Sequence, residues 1–567
     1  MNPLQSLLAS WKNQNKRTTF VVCLALFTAF SILTLKPLWI GHGWPKNHEI
    51  NAFALRTRVY EQHYRLHDFV PLWSSTDNHG LGSAMPSLYH KLFYLFSGPL
   101  FLLTGKMKIA LVLPILFFLL VGAFGMVRLL QLLGANRATC IAGGICLIAA
   151  KYTVTNWMIR GAVAEFSAAM LIPWALSYFL SSLNENRVRT GLAVSLALIF
   201  LAHSVMGYYL GLLFALLFLI SLLVGKIRLT GALLGSVLKA ALVFTLLAAP
   251  ALLLIATFGP DYDMQRILKL PNHPCAQFPP LIRYFWDEGF VFGSDWTIYS
   301  VQLDLPPLLF GLAGFASLVF LRKPFATLSE KGKIAAPVLP LVAIGLAAFL
   351  LQTRLSAPFY NHVPGAAYLQ FPWRLLGLLA PVVIATGLYF AEKSATLWGR
   401  AGGVAWCTFA MVLLCGGLSP LLYGNLPLET CIDSPLENVC FSQFDEYVPK
   451  TAPLPPTTAE ALVNAAQAKG CSITYQKQNE EVRRVVFDVN STAPVSIDLP
   501  LYVSPLHVVK VRHEDGTLLR QTTPAAGLCT VEVPEGKSRV EVEMPDVHKL
   551  FQWWAAVASR KDAKAQR

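Results

Sequence analysis

Residues 107–133 read MKIALVLPILFFLLVGAFGMVRLLQLL, an apolar run that decides the class of fold. A membrane-crossing helix needs about 20 consecutive apolar residues, and this run is long enough. Similar runs recur along the chain, so their apolar surface is too large for one soluble core and must face lipid. We predict about eleven spans, at 18–40, 107–133, 138–156, 166–183, 190–206, 207–225, 230–257, 303–321, 334–352, 375–392 and 402–422.

The composition agrees with a membrane protein. Of the 567 residues, 54% are hydrophobic and 14% are charged, against about 25% charged residues in soluble domains. The formal net charge is +14, but the basic residues form short clusters between apolar runs, which argues against a nucleic-acid-binding surface. No small-residue cleavage site follows the first run, so we expect an uncleaved first span rather than a signal peptide.

Basic residues between the spans indicate an orientation. When the junctions are counted from an N-terminus inside the cell, every second one is short and basic. The positive-inside rule assigns these junctions to the cytoplasm. We therefore predict a cytoplasmic N-terminus and a C-terminal region on the opposite side. The residues concerned are Arg137, Arg187, Arg189, Lys226, Arg228, Arg322, Lys323, Lys331, Lys333, Lys393 and Arg400.

The opposite side receives the long segments 41–106, 258–302, 353–374 and 423–567. Long loops on a rigid scaffold usually carry function. Within the first of them, residues 85–105 are apolar but are interrupted by Gly98-Pro99. A span there would invert the alternation of charges downstream, so we predict a helix that lies at the outer interface.

The C-terminal region has the pattern of a β-rich domain over 423–545. Short β-rich runs alternate with turns such as Asp515-Gly516, which predicts a small antiparallel β-sandwich. In an oxidising compartment the pairs Cys431–Cys440 and Cys471–Cys529 could form disulfides, and four free thiols are the alternative. Residues 546–567 carry two tryptophans and several basic residues, which predicts an interfacial basic tail.

Charged residues beside the outer ends of spans are the candidates for chemistry. Glu49 precedes a helix-like stretch with Arg56, and a carboxylate there could act as an acid or base beside a phosphate-binding surface. A solvated amphipathic helix is the alternative. Arg160 and Glu165 lie at the rim of two spans, where charges are costly unless paired or used. His203, at the end of the fifth span, is either a helix–helix contact or a ligand-binding residue.

Two further outer segments carry candidates. Asp261 and Asp263 could bind a divalent cation through carboxylate oxygens, and a solvated loop is the alternative. The sequence indicates no other cofactor. Gln370, Trp373 and Arg374 enter a span together at the outer side. Tryptophan is common at that depth, but the planar guanidinium of an arginine matches phosphate oxygens and so suits a lipid phosphate.

The order of these motifs resembles a known family. The run Gln370-Phe371-Pro372-Trp373-Arg374 is its most specific part, and the resemblance covers most of the chain. The family is the bacterial membrane-protein family labelled 6-pyruvoyl-tetrahydropterin synthase-related, which itself resembles GT-C glycosyltransferases. The other matching pieces are Glu49 to Trp73, Gly80-Leu81-Gly82, Tyr89, Arg160 to Glu165, Pro173, His203 and Glu446-Tyr447-Val448-Pro449.

The resemblance implies a GT-C-like transmembrane domain over 1–422 in a bacterial inner membrane, with a periplasmic β-domain. It implies inverting transfer of a hexose or pentose from a polyprenyl-phosphate donor to a cell-envelope glycan, lipid or protein. Glu49 would be the general base, although the family pattern usually has Asp there and His where this chain has Phe53. The implied substrate-binding residues are Arg56, Arg160, Glu165, His203, Gln370, Trp373 and Arg374.

A polytopic membrane protein of this kind has two alternative functions. A transporter or flippase would place ionisable residues near the middle of the membrane, whereas the charges within these spans lie mostly near their ends, with Lys239 as the main exception. A non-catalytic scaffold that presents the β-domain would not need charged residues at the outer rim. The sequence therefore favours the glycosyltransferase.

Overall fold

The structure is a computed structural model, in which the chain divides into two compact units. The first unit comprises Met1–Ile50, Leu111–Leu247 and Pro274–Thr430, and the second comprises Asn51–Ala110, Ala248–His273 and Cys431–Arg567. The predicted span 402–422 and the predicted Cys431–Cys440 pair lie outside the described residues. The structure describes residues 16–36, 38, 44–45, 47–78, 80–268, 272–287, 300–320, 337–394, 428–429, 447–452, 458–476 and 483–565.

Apolar helices dominate the described part of the chain. Seven are long and apolar enough to cross a membrane, and a bent pair, Val338–Leu350 with Arg354–His362, brings the number to eight if it is one span. The prediction of a polytopic helical membrane protein is confirmed, whereas the count of about eleven stays a prediction. The seven are Arg17–Thr34, Met107–Leu132, Arg137–Arg160, Val163–Glu185, Ser204–Leu223, Gly231–Asp261 and Pro372–Ser394.

Shorter helices complete this part of the fold. Three of them are apolar: Thr190–Ala202 and Leu305–Phe320, which coincide with predicted spans, and Tyr94–Thr104. The others are Ile50–Arg65, Met85–Leu88, Ala357–His362, Ala459–Ala468 and Val547–Ala565.

Small residues let helices of the first unit cross closely. A Cβ added to Gly387, in the helix Pro372–Ser394, would stand 2.2 Å from the carbonyl oxygen of Pro307. A Cβ added to Gly311 would stand 2.5 Å from the Cα of Gly387. Such crossings are typical of membrane helices, because close packing rather than the hydrophobic effect drives helices together in lipid.

Residues of the predicted cytoplasmic junctions contact one another. The backbone N–H of Asn136 donates to Oε2 of Glu392 at 3.0 Å. Asn186 exchanges two hydrogen bonds with the backbone of Arg228. Each contact brings two basic junctions to a common end of the helices, as the alternation of charges requires. The side of the membrane on which they lie stays a prediction.

The C-terminal region forms the predicted antiparallel β-sandwich. One sheet has five strands in the order β1-β2-β7-β4-β5, and the other pairs β3 with β6. Both sheets contribute to one buried core, for example Val489 and Val540 from the first and Leu499 from the second. The strands are β1 (Cys471–Gln476), β2 (Arg484–Ser491), β3 (Val495–Val503), β4 (Val508–His513), β5 (Leu518–Thr522), β6 (Gly527–Val533) and β7 (Gly536–Glu543).

The first outer loop packs against this sandwich within the second unit. The indole of Trp73 lies edge-on to the imidazole of His507, with ring centroids 4.5 Å apart. The backbone N–H of Tyr502 donates to the carbonyl of Leu81 at 2.6 Å. The loop and the β-strands therefore share one core, although they are more than 400 residues apart in sequence.

The segment predicted to lie at the interface contains the helix Tyr94–Thr104, which has 11 residues. At 1.5 Å per residue it is about 16 Å long, too short to cross a hydrocarbon layer of about 30 Å. It packs against the helix Ile50–Arg65, because a Cβ added to Gly98 would stand 2.7 Å from the Cβ of Tyr60.

The predicted disulfide between Cys471 and Cys529 is not formed in the structure, which has both residues as free thiols. Cys471 begins β1 in the five-stranded sheet, whereas Cys529 lies in β6 of the other sheet. Both are buried, and burial raises the pKa of the Cys529 thiol to about 12. Each cysteine therefore acts as a small apolar residue of the core.

The predicted interfacial tail forms the helix Val547–Ala565. The indole N–H of Trp554 donates to Oγ1 of Thr257 at 2.9 Å. Thr257 lies near the end of the apolar helix Gly231–Phe258, so this contact holds the tail helix beside the end of a predicted span.

Candidate active site

A distorted helix builds the centre of the candidate site in the first unit. The helix Arg137–Ala149 breaks at Ala150, resumes at Lys151 and continues as a π-helix over Thr155–Arg160. π-helical turns are rare and frequently occur at functional sites. Gly161 ends the π-helix in the left-handed conformation with φ 69°, which a glycine adopts without strain. The chain then enters the helix Val163–Glu185.

Arg160 is held by three side-chain acceptors. Its Nη1 donates to Oε1 of Glu165 at 2.9 Å, to the hydroxyl of Tyr152 at 3.2 Å and to Oδ1 of Asn156 at 2.5 Å. The hydroxyl of Tyr152 donates to the same Glu165 oxygen at 2.5 Å. The side chains of Arg160 and Glu165 are only 4% and 2% exposed. This is a buried ion pair with its own hydrogen-bond network.

Tyr152 and Asn156 are site residues that were not among the predicted ones. They precede Arg160 by eight and four residues, and helical residues four apart lie on the same face. That spacing is the signal in the sequence that could have indicated them.

Arg374 approaches the same carboxylate from another helix. Its Nε lies 3.3 Å from Oε2 of Glu165, within ion-pair distance, but neither atom has an aligned hydrogen bond among the described residues. Its Nη1 donates to the carbonyl of Leu369 at 3.1 Å and to Oε1 of Gln370 at 3.0 Å. Two guanidinium groups therefore share the single carboxylate of Glu165.

The backbone that positions Arg374 is strained. Gln370 has φ 60° and ψ −51°, and the N–H of Phe371 donates to the carbonyl of Leu369 at 2.6 Å. This is a γ-turn with positive φ, a rare conformation for a residue other than glycine. The turn presents the carbonyl of Leu369 and the amide of Gln370 to Arg374. Strain of this kind clusters at functional sites.

Stacked rings fix the planes of both arginines. The guanidinium carbon of Arg160 lies 4.5 Å from the ring centroid of Trp373, and that of Arg374 lies 4.9 Å from the ring centroid of Phe371. The two rings stack on each other with centroids 5.1 Å apart. Trp373 is 1% exposed, so it belongs to this site rather than to a lipid-facing aromatic belt.

Glu49 brings a second carboxylate to the two arginines. It is half-buried in the turn before the helix Ile50–Arg65. Its charge acts electrostatically on both Arg160 and Arg374. The neighbouring backbone N–H of His48 donates to the carbonyl of Ile159 at 3.2 Å, which joins this turn to the π-helix.

His203 is a neutral neighbour of this cluster. The backbone N–H of Met206 donates to its Nδ1 at 3.2 Å, so that nitrogen carries no proton and the ring proton is on Nε2. Both Arg160 and Arg374 act on the imidazole electrostatically. His203 can therefore offer an N–H donor without adding a charge.

The remaining predicted site residues belong to the second unit. Arg56 is 3% exposed and its guanidinium carbon lies 3.8 Å from the ring centroid of Tyr89. Asp263 lies 3.7 Å from Arg266, and the carbonyl of Asp261 accepts the N–H of Lys450. Within the described ranges, no group of three His, Cys, Asp or Glu residues could hold a metal ion. The predicted cation site at Asp261 and Asp263 stays a prediction.

The comparisons with known proteins give similarity at low identity. No family model matches the chain, so the resemblance to the 6-pyruvoyl-tetrahydropterin synthase-related family has no support from one, and no curated protein matches either.

Among solved structures, the chain is similar to the Archaeoglobus fulgidus oligosaccharyltransferase in the apo form, with 11% identity, a TM-score of 0.43, and 70% of this chain and 55% of that chain covered. It is also similar to the arabinofuranosyltransferase AftD from Mycobacteria, with 15% identity, a TM-score of 0.45, and 73% of this chain and 27% of that chain covered. A third similar structure is ArnT from Cupriavidus metallidurans bound to undecaprenyl phosphate, with 13% identity, a TM-score of 0.43, and 73% of this chain and 68% of that chain covered. The chain spans about half and about a quarter of the first two, and with TM-scores below 0.5 none of these likenesses assigns it a function.

Proposed function

We propose that this protein is a GT-C-type membrane glycosyltransferase, which moves a sugar from a polyprenyl-phosphate donor to a cell-envelope acceptor on the outer face of a bacterial inner membrane. One observation carries the proposal. Arg160 and Arg374 are buried against the single carboxylate of Glu165, with Glu49 in electrostatic range of both. A lipid-linked sugar phosphate has its tail in the bilayer and its reactive carbon at the interface, so it needs cations and a base beside the ends of membrane helices.

The donor phosphate would bind to Arg374. The Nε of this arginine has no aligned hydrogen bond among the described residues, although it is buried. A phosphate oxygen accepts hydrogen bonds from a guanidinium in the geometry that the planar group favours. Arg160 would contribute its charge while its Nη1 stays bound to Glu165.

Glu49 would act as the general base. In that step the acceptor hydroxyl passes its proton to the Glu49 carboxylate, and the acceptor oxygen forms a bond to the anomeric carbon. The bond between that carbon and the phosphate oxygen breaks, and the electron pair leaves with the phosphate. The phosphate goes from one negative charge toward about two, while Glu49 loses one, so the total charge of the site is constant through the reaction.

The lipid class to be tried first is a polyprenyl phosphate. Among the similar solved structures, ArnT is bound to undecaprenyl phosphate, and the Archaeoglobus fulgidus oligosaccharyltransferase AglB is in complex with a dolichol-phosphate. For this chain, the tail would lie among apolar helices and the phosphate at the arginines. The acceptor would be a glycan, lipid or protein of the cell envelope.

The test of this function is sugar transfer by the Glu49→Gln variant. We expect transfer to fall by about 10²- to 10⁴-fold, the usual contribution of a general base, with expression and melting temperature unchanged. The measurement is mass spectrometry of surface glycans in cells that lack the gene and are complemented with either form. Purified protein in proteoliposomes with a panel of polyprenyl-phosphate sugars gives the rate.

The matched control is Glu460→Gln, which removes an exposed carboxylate from the helix Ala459–Ala468. If Glu49→Gln transfers sugar at the rate of the control, Glu49 is not the general base. If surface glycans and lipids are identical with and without the gene, the protein is not the proposed glycosyltransferase. Loss of lipid flipping rather than of transfer would favour a flippase.

The orientation is part of the same proposal. The N-terminus would lie in the cytoplasm and the β-sandwich in the periplasm, because the short basic junctions alternate with the long segments. Reporter fusions at position 330 should report the cytoplasm, and fusions at position 480 should report the periplasm. The opposite pattern would place the candidate site on the wrong face for a periplasmic enzyme.

A further inference from the structure

One buried donor of the first unit has no role in the network described so far. Asn156 lies in the π-helix Thr155–Arg160 and is 0% exposed. Its Oδ1 accepts the hydrogen bond from Arg160 at 2.5 Å. This bond fixes the orientation of the amide, because only the oxygen can accept from an arginine. Its Nδ2 is buried and has no hydrogen-bond partner among the residues that the structure describes.

A buried amide N–H without a partner is expensive. Such a group costs about 1–3 kcal/mol through the loss of its hydrogen bonds to water, and most buried polar groups in proteins are satisfied. Aspartate would hold Arg160 through the same oxygen without leaving a donor unpaired. The second half of the amide, Nδ2, is therefore better explained by a ligand than by the bond to Arg160.

The chemistry of that ligand follows from the other groups in the cluster. Asn156 is joined through Arg160 and Glu165 to Arg374, whose buried Nε is in ion-pair distance of Glu165 but has no aligned hydrogen bond to the residues that the structure describes. Both groups are N–H donors, so they complement an oxyanion rather than a cation. A third arginine would add a charge that no carboxylate of the cluster offsets, whereas an amide adds a donor and leaves the charge unchanged.

We propose that Asn156 is a further substrate-binding residue, whose Nδ2 donates to a phosphate oxygen of the polyprenyl-phosphate donor. This inference rests on the proposed function and adds a neutral donor to the two arginines. The π-helix that carries Asn156 thus aligns one acceptor toward Arg160 and one donor toward the phosphate.

The test uses Asn156→Asp in the full-length protein in detergent, with a polyprenyl monophosphate as the probe. Aspartate keeps the oxygen that holds Arg160 but removes the donor. We expect the dissociation constant, measured from the ligand-dependent rise in melting temperature, to increase by about 10- to 100-fold. Without the probe, the melting temperature should be unchanged or higher, because a carboxylate binds Arg160 more strongly than an amide does.

A second variant separates the lost donor from the added charge. Asn156→Leu has a similar volume and no charge, and it should also weaken binding of the monophosphate by about 10-fold. Neither variant should change binding of the polyprenol that lacks the phosphate. Wild-type affinity in either variant, or an equal loss for the polyprenol, would overturn the role of Asn156.

A third variant distinguishes failure of this inference from failure of the proposed function. Arg374→Gln should lose binding of the polyprenyl monophosphate whatever Asn156 does. If Arg374→Gln loses affinity and both Asn156 variants keep it, the phosphate site stands and the role of Asn156 falls. If Arg374→Gln binds as the wild type does, the proposed phosphate site falls, and the inference with it.

Discussion

Two clusters of buried ionisable groups, one in each unit, differ in their partners. In the first unit, Arg160, Arg374 and Glu165 are buried together, with ion-pair distances of 2.9 and 3.3 Å. In the second unit, the buried groups His507 and Lys91 make their hydrogen bonds to neutral groups. His507 accepts the backbone N–H of Ser504 through Nδ1, and burial lowers the pKa of this imidazole to about 3. Burial also lowers the pKa of the Lys91 amine, which donates to backbone carbonyls, to about 7.

This difference in partners distinguishes a buried group that serves the fold from buried charges that serve a ligand. Removal from water disfavours the charged form of any group, and a nearby opposite charge or hydrogen bonds to the charged form compensate it. His507 follows the less costly course, since this buried imidazole is neutral. The cluster of Arg160, Glu165 and Arg374 keeps its charges, although apolar residues of the same volume would stabilise a fold as well or better. Retained charge beside the ends of membrane helices is what a phosphate ligand requires.

The strongest test of this comparison is Arg160→Met. Removal of one partner leaves the Glu165 carboxylate buried with only Arg374 as its counter-ion, which should lower the free energy of unfolding by about 3–5 kcal/mol. Denaturant titration of the purified protein in detergent measures it. The double variant Arg160→Met, Glu165→Gln should recover part of the loss, because the uncompensated charge is gone. A loss below about 1 kcal/mol would mean that the buried charges are not coupled.

The second test concerns acid pH and the second unit. The pKa of His507 is about 3 in the folded state and about 6.5 when unfolded. Below pH 6.5 the unfolded chain binds a proton that the folded chain does not, so stability falls as the pH drops toward 3, by up to about 1.4 kcal/mol per unit. Between pH 7 and pH 5 this amounts to about 2 kcal/mol.

The variant His507→Gln isolates this contribution, with the exposed His513→Gln as its control. Asp77 acts in the opposite sense, because burial raises the pKa of its carboxyl to about 6 and the folded state therefore gains its proton first. Lys91, whose amine has a pKa of about 7 in the folded state, takes up its proton at the upper edge of this window, and both variants retain it. The difference in unfolding free energy between pH 7 and pH 5 should shrink by about 2 kcal/mol in His507→Gln only. An equal slope in both variants would show that His507 is not held neutral.

The smallest effect is expected for Tyr152→Phe. This change removes one hydrogen bond to the charged Glu165, worth about 1.5 kcal/mol, while the ring stays in place. The control is Tyr178→Phe, whose ring lies 4.4 Å from the guanidinium of Arg128. Thermal unfolding in detergent compares the two. If Tyr178→Phe costs as much as Tyr152→Phe, the hydroxyl of Tyr152 contributes nothing particular to the charged cluster.

The sequence predicted the helices because long apolar runs are a local signal. It also indicated that Arg160 and Glu165 are either paired or used in function, since charges at the rim of two spans are costly otherwise, and the structure has them paired. It did not predict the π-helix over Thr155–Arg160, because hydrogen-bond register is not encoded in hydrophobicity. Tyr152 and Asn156 were missed for the same reason, although their spacings of eight and four residues from Arg160 were visible.

Contacts between residues far apart in sequence were the other feature that the sequence did not predict. The packing of Trp73 on His507 joins residues that lie far apart in sequence, and no periodicity reports such a contact. The pair Cys471 and Cys529 shows the converse error. Spacing and compartment suggested a disulfide, whereas the structure has both residues as free, buried thiols.

The γ-turn at Gln370 means that Arg374 is oriented when the protein folds, not when substrate binds. Holding this backbone conformation costs on the order of 1–3 kcal/mol, and the chain meets that cost once, when it folds. The carbonyl of Leu369 and the amide of Gln370 then keep the Arg374 guanidinium in one orientation before any substrate arrives. Donors that are already oriented need no rearrangement as charge develops on a leaving group. Each catalytic cycle would thus begin from an electrostatic environment that synthesis of the protein set in advance.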